Sequence, residues 1–565
     1  MHKFPMAAIG FIIFFSPISM GWGTTYYVDA TTGNDGSDGL SSSTAWKTIA
    51  KVNASLFNPG DQILFKRNEA WREQLNIPSS GAPDRPIVFA AYSDGNKPIL
   101  KASDLVTGWA STALYTNVWQ TVVSKEPKTV FLNGMEGTRR TSIHGLAQPG
   151  DWHWSSGQLS LYCTSDPATA YTKPGVESCV RDYSVYANSR HYITIDGIQT
   201  EHANDSNIMI SSSTHTIVRN SVATNGNGNG IHFWTVSDGV ILNNTIAQNK
   251  YSGIVADEGS QNIAISGNII DQNGDAGVYS YYTLTKTYAV TNITIDNNRI
   301  TNQGGYGIST GKAAGTVLIE SNYLSGIGKK KIDSNGIGVL ECPGSKTVRY
   351  NWVQDVQNYH HEDTNDAIGI IADTGAHGTE IYYNVVRDCD GTGIAVYEAN
   401  GVKVYNNTIY NCGRSQAIIS QASFSVVGTG SGSTVFKNNL VAKSAVRHAY
   451  VQSGGVNGFI ANYNLYDDAQ RTFHWSGTDH SFFDWRAIAG QDINSPAPSD
   501  PVFADPLASD FALKRGSPAI DAGTNVGLSR DRKGNPVPWG SGIDLGAVEY
   551  RGIAPPRNMQ SVPNP

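Results

Sequence analysis

Charge is scarce in this chain, cysteine scarcer, and past the first two dozen residues there is no long apolar run. Asp, Glu, Lys and Arg make up 16% of the 565 residues and the formal net charge is −7, so there is no basic footprint for nucleic acid. No stretch after the N-terminus approaches a membrane-spanning length. The five cysteines are Cys163, Cys179, Cys342, Cys389 and Cys412, an odd number that excludes a fully paired intramolecular framework. Cys163 and Cys179 share one loop-rich segment and are the candidate bridge. Cys389 and Cys412 fall one repeat apart, where stacking in an interior is the expected fate. G-x-S-x-G, the phosphate loop and paired C-x-x-C are all missing, and with them the chemistries they carry. Helical periodicity is missing too, since no stretch with that period is long enough to matter.

What is present is glycine, 59 residues, abundant Asn, Ser and Thr, and a phrase that keeps returning. An asparagine stands between two apolar stretches at Asn220, Asn244, Asn268, Asn298, Asn322, Asn351, Asn384, Asn407, Asn439 and Asn464. A small residue followed by an aliphatic one precedes it, as in Gly230-Ile231, Gly253-Ile254, Gly277-Val278, Gly307-Ile308, Gly336-Ile337, Ala367-Ile368 and Gly393-Ile394. The period lies in the range that signals a solenoid, and each unit holds two or three short alternating runs joined by Gly, Asn and Asp. The expected fold is all-β, a right-handed parallel β-helix in which like aliphatic side chains stack from coil to coil. Asparagine at a bend tolerates the left-handed backbone region, and its amide can bond to the next asparagine of the stack.

Met1 to Gly23 has the form of a secretory signal: Lys3, the apolar run Met6 to Phe15, then Gly21 and Gly23 before a cut at Thr24. Residues 24–100 are expected to form an N-terminal cap and the first coils, with a short amphipathic helix over Ala45 to Val52. Residues 101–190, where the repeat is not visible, read as an inserted β-rich segment. Its Trp109, Trp119, Trp152 and Trp154 are expected mainly to pack it against the β-helix, with a sugar-stacking wall as the alternative. Repeats are expected over 191–470, a closing segment over 471–553 with a short helix at Ser481 to Ile488, and a Pro-rich disordered tail over 554–565.

The opening carries Tyr26-Tyr27-Val28-Asp29, Gly33-Asn34-Asp35, Trp46-Lys47-Thr48-Ile49, Pro59-Gly60-Asp61 and Pro86-Ile87-Val88-Phe89. It resembles that of secreted proteins of the pectate-lyase-like, right-handed parallel β-helix superfamily, and the resemblance covers most of the mature chain. It implies the fold and a carbohydrate-active role. It implies no single reaction, because the superfamily includes lyases, hydrolases and epimerases.

Alignment of the coils on the Gly-Ile phrase turns the aliphatic residue and the residue two further on inward, and the positions between outward. Phe233, Ala256, Ser280, Thr310, Val339, Ile370 and Val396 then face in. His232, Trp234, Asp257, Tyr279, Tyr281 and Tyr397 face solvent, with Glu258, Tyr282, Lys312, Glu341, Asp373 and Glu398 at the bend beyond. This is the candidate substrate face, and Lys312, Glu341, Asp373 and Glu398 are its candidate catalytic groups. Carboxylates on successive coils would lie ~5 Å apart by the strand spacing, which suits a glycosidase pair. With Asp363 or Asp366 the same groups suit Ca²⁺, which takes several hard oxygen ligands. The superfamily resemblance implies a lyase route in which Lys or Arg abstracts a proton beside a uronate carboxylate neutralised by Ca²⁺; Lys312 is the candidate, ahead of Lys329-Lys330-Lys331. The clear Asp-Asp calcium cluster of better-known pectate lyases is not present. The polar turn Tyr359 to Asp366 adds His360 and His361 as candidate acid–base groups. The expected function is an exported enzyme, monomeric, cleaving a polysaccharide by β-elimination or by hydrolysis. The alternative is a non-catalytic glycan-binding or adhesin-like surface protein.

Overall fold

The computed structural model describes residues 23–331, 334–358, 367–414 and 421–552. The proposed signal and tail therefore lie almost wholly outside the described residues. The chain winds as a right-handed parallel β-helix. Each coil contributes one strand to each of three long sheets of 14, 14 and 13 strands. A typical turn runs Asn229–Trp234, Val240–Leu242 and Thr245–Ala247 before Ile254–Asp257 lies down beside its predecessor.

The stacking is residue on residue. Ile231, Ile254, Val278, Ile308, Ile337, Ile370, Ile394 and Phe424 form one registered column, fully excluded from water. Glycine precedes the column where the corner is tight: a Cβ on Gly307 would stand 2.4 Å from the Gly336 carbonyl oxygen and 2.5 Å from Leu324 Cδ2. This constraint corrects one expected phrase. The register partner of Ile337 is Ile370, preceded by Gly369, and not Ile368. Ile368 packs instead with Ile371 and Ala395 in a small separate apolar cluster.

The asparagine ladder is continuous from Asn244 through Asn268, Asn298, Asn322, Asn351, Asn384, Asn407 and Asn439 to Asn464. Each side-chain amide donates to the oxygen of the next asparagine and to a backbone carbonyl, as Asn351 does to Asn384 Oδ1 at 3.0 Å and to Ile319 O at 2.9 Å. Two expectations need correction here. Asn220 is not in the ladder: Ser221 takes that level, its N–H donating to Asn244 Oδ1, while Asn220 bonds to Asp196 at the surface. The left-handed residue is also not the ladder asparagine but the one before it, as at Asn243, Asn297, Ser321, Tyr350, Tyr383, Asn406 and Asn438. The bend and the bonding are thus divided between two neighbours.

Both ends of the apolar column are covered. At the start, Ile49–Asn53 is a single helical turn, shorter than expected because the Thr48 hydroxyl accepts the Lys51 N–H and sets its beginning. Ile49 and Val52 face the core. At the far end, Phe482–Ala489 lies over Phe473, and its Trp485 donates to Asp492. Asp492 also accepts from Asn464 and Tyr466, so one buried carboxyl terminates the ladder.

Within 101–190 two small sheets of four and five strands stand beside the early coils. Trp152 is buried in this segment's own core with Leu159 and Leu161, and Trp109 and Trp154 pack against it. These rings therefore hold the segment together rather than fixing it to the helix. All five cysteines are free and buried, so Cys163 and Cys179 form no bridge. The closing segment runs back along the outside of the third sheet: Phe503, Phe511, Leu513, Leu545, Ala547 and Val548 cover Trp352, Val385, Tyr410, Leu440 and Leu465. No helix among the described residues is long and apolar enough to cross a membrane.

Two expectations about stability follow. Asn351→Ala strands a donor and an acceptor in a dry column and should cost ~3 kcal/mol by the usual penalty for unsatisfied buried groups, read as a lower denaturation midpoint. In the closing segment, the buried carboxyls of Asp544 and Glu549 are pushed up to about 6 and about 8, burial being the largest cause for each. The folded state thus holds protons that the unfolded chain would release. Their contribution is complete below the ordinary carboxylate range and is lost as pH rises from there through about 6 to about 8. Hydrogen exchange over this segment should accelerate across that window, and Glu549→Gln should reduce the acceleration.

Candidate functional site

The outward positions of one 14-stranded sheet carry the candidate face. Its strands include Asn229–Trp234, Ile254–Asp257, Val278–Ser280, Ile308–Gly311, Ser334–Leu340, Ala367–Ala372 and Ile394–Tyr397. Trp234 is level with Asp257, and Gly311 with Leu340. Val339 pairs with Ala372 and Tyr397 with Val427, so Asp373 stands one step beyond that pairing, level with Leu340. Glu341 lies one position further along its coil, where its N–H donates to the Thr374 carbonyl at 2.7 Å. Glu341, Asp373 and Glu398 do occupy consecutive coils, but Asp373 is offset by a residue from the other two.

Glu258, Lys312, Glu341 and Glu398 all adopt left-handed backbone at the bend that ends this sheet. The same conformation occurs at Ser212 and Thr235 on earlier coils. It is a property of the corner and not a mark of chemistry.

The carboxylates separate by what they touch. Glu258 is buried, and its oxygens accept the N–H groups of Leu284 at 2.6 Å and Thr285 at 2.7 Å and the Thr285 hydroxyl. Those bonds hold its carboxyl below its usual range against the effect of burial. Glu398 likewise accepts from Thr429 N–H at 3.0 Å and Gly430 N–H at 2.7 Å. Both are occupied in pinning turns. Asp257 was expected to face solvent but is buried, bonded at 3.0 Å to the equally buried His232.

Glu341 and Asp373 differ from these. The Tyr281 hydroxyl donates to Glu341 Oε1 at 2.6 Å. That bond is the first cause of a phenol pushed up to about 12, followed by burial and the charges of Glu341, Tyr279 and Asp373. Asp373 sits half-buried, and among the described residues its carboxylate accepts only from its neighbour Thr374. Its carboxyl is raised by burial and by the charge of Glu341, over the opposing effect of the Thr374 bonds. Lys312 Nζ stands 5.2 Å above the Tyr281 ring. Tyr281, Lys312, Glu341 and Asp373 are therefore brought together, with Tyr279 edge-on to Tyr281 at 6.5 Å.

Tyr282, 45% exposed, leans the other way, its ring 6.4 Å from that of Trp234. Tyr397, 44% exposed, stands on the coil after Asp373. Lys331 pairs with Asp275 at 2.6 Å and Lys329 bonds to Asn302, which anchors the lysine run at the preceding bend. His360, His361, Asp363 and Asp366 lie outside the described residues. Among the described residues, no group of three or more His, Cys, Asp or Glu is placed to hold a metal ion.

One residue escaped the sequence reading. The Tyr281 ring crosses the next coil over Gly311, where a Cβ would stand 1.9 Å from Tyr281 Cδ2. Glycine leaves the lane through which the phenol reaches Glu341, two coils away. Its only signal is a Gly at an outward strand position, which marks close approach of another group. Gly311→Ala should displace the ring and break that bond. In a protein labelled at tyrosine, the Tyr281 resonance should then titrate nearer the ordinary phenol value of ~10 than in the wild type.

Comparison with known proteins adds the following. The family model described as right handed beta helix region matches residues 175–324 and 291–481, together more than half of the chain. A lacto-N-biosidase of Bifidobacterium longum subsp. longum is 28% identical over 314 residues, 51% of this chain and 19% of that protein. The chain thus spans about a fifth of that relative's length. The solved structure of XylC with xylose superimposes with a TM-score of 0.56 at 14% identity, covering 94% of this chain and 99% of that one. Pectate lyase Pel9A gives 0.36 at 16% identity, over 94% and 98%. At 14% identity the likeness to XylC speaks to architecture alone.

Proposed function

We propose that this chain, which belongs to the right-handed β-helix family, is a carbohydrate-active enzyme that hydrolyses a glycosidic bond between Asp373 and Glu341. The observation that carries the reading is the contrast between these neighbouring carboxyls. Burial and the adjacent negative charge favour the protonated form of Asp373. Glu341 accepts a hydrogen bond from a phenol that holds its own proton to about 12. A carboxyl that burial holds protonated, beside a second that accepts a hydrogen bond, is an arrangement in which one can act as acid and the other as base or nucleophile.

Asp373 gives its proton to the leaving glycosidic oxygen as the carbon–oxygen bond breaks. Glu341 serves the opposite side of the sugar ring, either taking a proton from the attacking water or bonding to the anomeric carbon before water releases it. The likeness to a lacto-N-biosidase supports a glycosidase over a surface that binds glycan and leaves it intact. On this reading the protein acts outside the cell, as the signal-like opening suggests.

β-Elimination remains the second reading, favoured by the place of Lys312 beside the Tyr281 phenol. Calcium belongs with that reading. Asp363 or Asp366 would join the carboxylates of Glu341, Asp373 and Glu398 as its ligands, and no step is assigned to the ion.

Asp373→Asn and Glu341→Gln should each lower kcat by about a hundredfold or more, the usual worth of a positioned acid or base, with the unfolding midpoint retained. Products should carry new reducing ends and no carbon–carbon double bond, and activity should survive chelation. Unsaturated products, loss of activity in Lys312→Ala and rescue by Ca²⁺ would assign elimination instead.

A further inference from the structure

We infer that Lys346 is a positioning residue for Glu341: its buried ammonium clamps the bend that follows Glu341 and so holds that carboxylate within reach of the Tyr281 phenol and of a substrate. The inference rests on the reading of Glu341 as base or nucleophile. Among the described residues Lys346 is the only lysine or arginine shut away from water, 3% exposed. Its ammonium bonds to carbonyls and, among the described residues, to no carboxylate. Burial pulls it below the usual ammonium range. A charge left without a counter-charge in a dry interior is destabilising. The coil before meets the same inward level with Val317, so packing alone does not call for a lysine there.

What the ammonium touches is the turn beside the reacting carboxyl. It donates to the carbonyl of Cys342 at 2.9 Å and to that of Gly344, spanning Pro343, which has no N–H of its own. Gly344 is pressed onto the preceding coil, where a Cβ would stand 1.7 Å from the Gly315 carbonyl oxygen. The Cys342 thiol closes the other side, donating to the Leu340 carbonyl at 2.9 Å. That carbonyl also accepts the Lys312 N–H at 3.1 Å. Both neighbours of Glu341 are thus tied down while its own backbone holds a left-handed φ of 47°. Two later coils brace the same bend from this level with a hydroxyl: Thr379 donates to Ala376 at 2.7 Å and Thr434 to Ser431 at 3.1 Å. A hydroxyl reaches one carbonyl. The lysine reaches two, on the coil that carries Glu341.

The test uses the full chain labelled at tyrosine, with a panel of nitrophenyl glycosides as substrates. Lys346→Met keeps the apolar stem and removes the donor. Thr434→Val removes the equivalent bond from a bend that carries neither reacting carboxyl. In Lys346→Met the Tyr281 resonance, identified by its loss in Tyr281→Phe, should titrate nearer the ordinary phenol value of ~10. Its kcat should fall on the order of a hundredfold, the usual effect of a displacement of ~1 Å, with KM little changed. Thr434→Val should do neither. If Lys346→Met does not fold, Lys346→Gln, which keeps a donor group, takes its place; if neither folds, the ammonium serves the fold and not the site, and the inference fails. A Tyr281 resonance that stays put, one that moves equally in Thr434→Val, or an unchanged kcat in an active enzyme would each overturn it. A wild type that cleaves no glycoside, with Tyr281 released in Lys346→Met, would keep the positioning of Glu341 and remove the hydrolytic reading. Cleavage by the wild type, with Tyr281 and kcat unmoved in Lys346→Met, would do the reverse.

Discussion

Every feature of this protein depends on vertical registry between coils, and the asparagine ladder is the interaction that enforces it. Apolar stacking is not directional: an isoleucine column tolerates a slip along the strand as long as something greasy remains beneath it. A buried amide is less forgiving, because its donor and acceptor both need partners. From Asn244 to Asn464 each asparagine is satisfied only when the coil above is level with the coil below. The ladder ends without a loose group, on Ser221 at one side and Asp492 with Ser495 at the other. Registry then converts sequence positions tens of residues apart into neighbours about one strand spacing apart.

The candidate site is a by-product of that conversion. Tyr281, Glu341 and Asp373 meet because three different coils present their outward corners at nearly the same height. Side-chain reach does the rest: a phenol crosses one whole coil, over a glycine, to bond to a glutamate on the second. The other carboxylates of the same column, Glu258 and Glu398, became turn anchors because backbone N–H groups of the next loops lie within their reach. With Asp257 bonded to His232, this face supplies three structural carboxylates and two left for chemistry.

Much of this was legible before any coordinates. The returning asparagines and Gly-Ile pairs announce a parallel β-helix, and the sheets and the ladder have that form. Local chemistry was misassigned where a neighbour decides the role. Asn220 reads like the ladder asparagines, yet Ser221 holds that level. Ala367-Ile368 reads like the corner phrase, yet the carbonyl of the next coil admits only Gly369 there. His232 and Asp257 alternate outward as expected and are nonetheless buried, since alternation says which side of a sheet a residue faces and not what lies above it.

The sequence by itself determined the repeat, the sheets that follow from it and the face on which aromatic and acidic residues gather, because short-range periodicity is a property of the chain alone. Only the tertiary structure decided which carboxylates are occupied, which tyrosine reaches which glutamate and where burial raises an acid. Those outcomes depend on distances between coils and on the loops that close over them, and no local pattern encodes such distances.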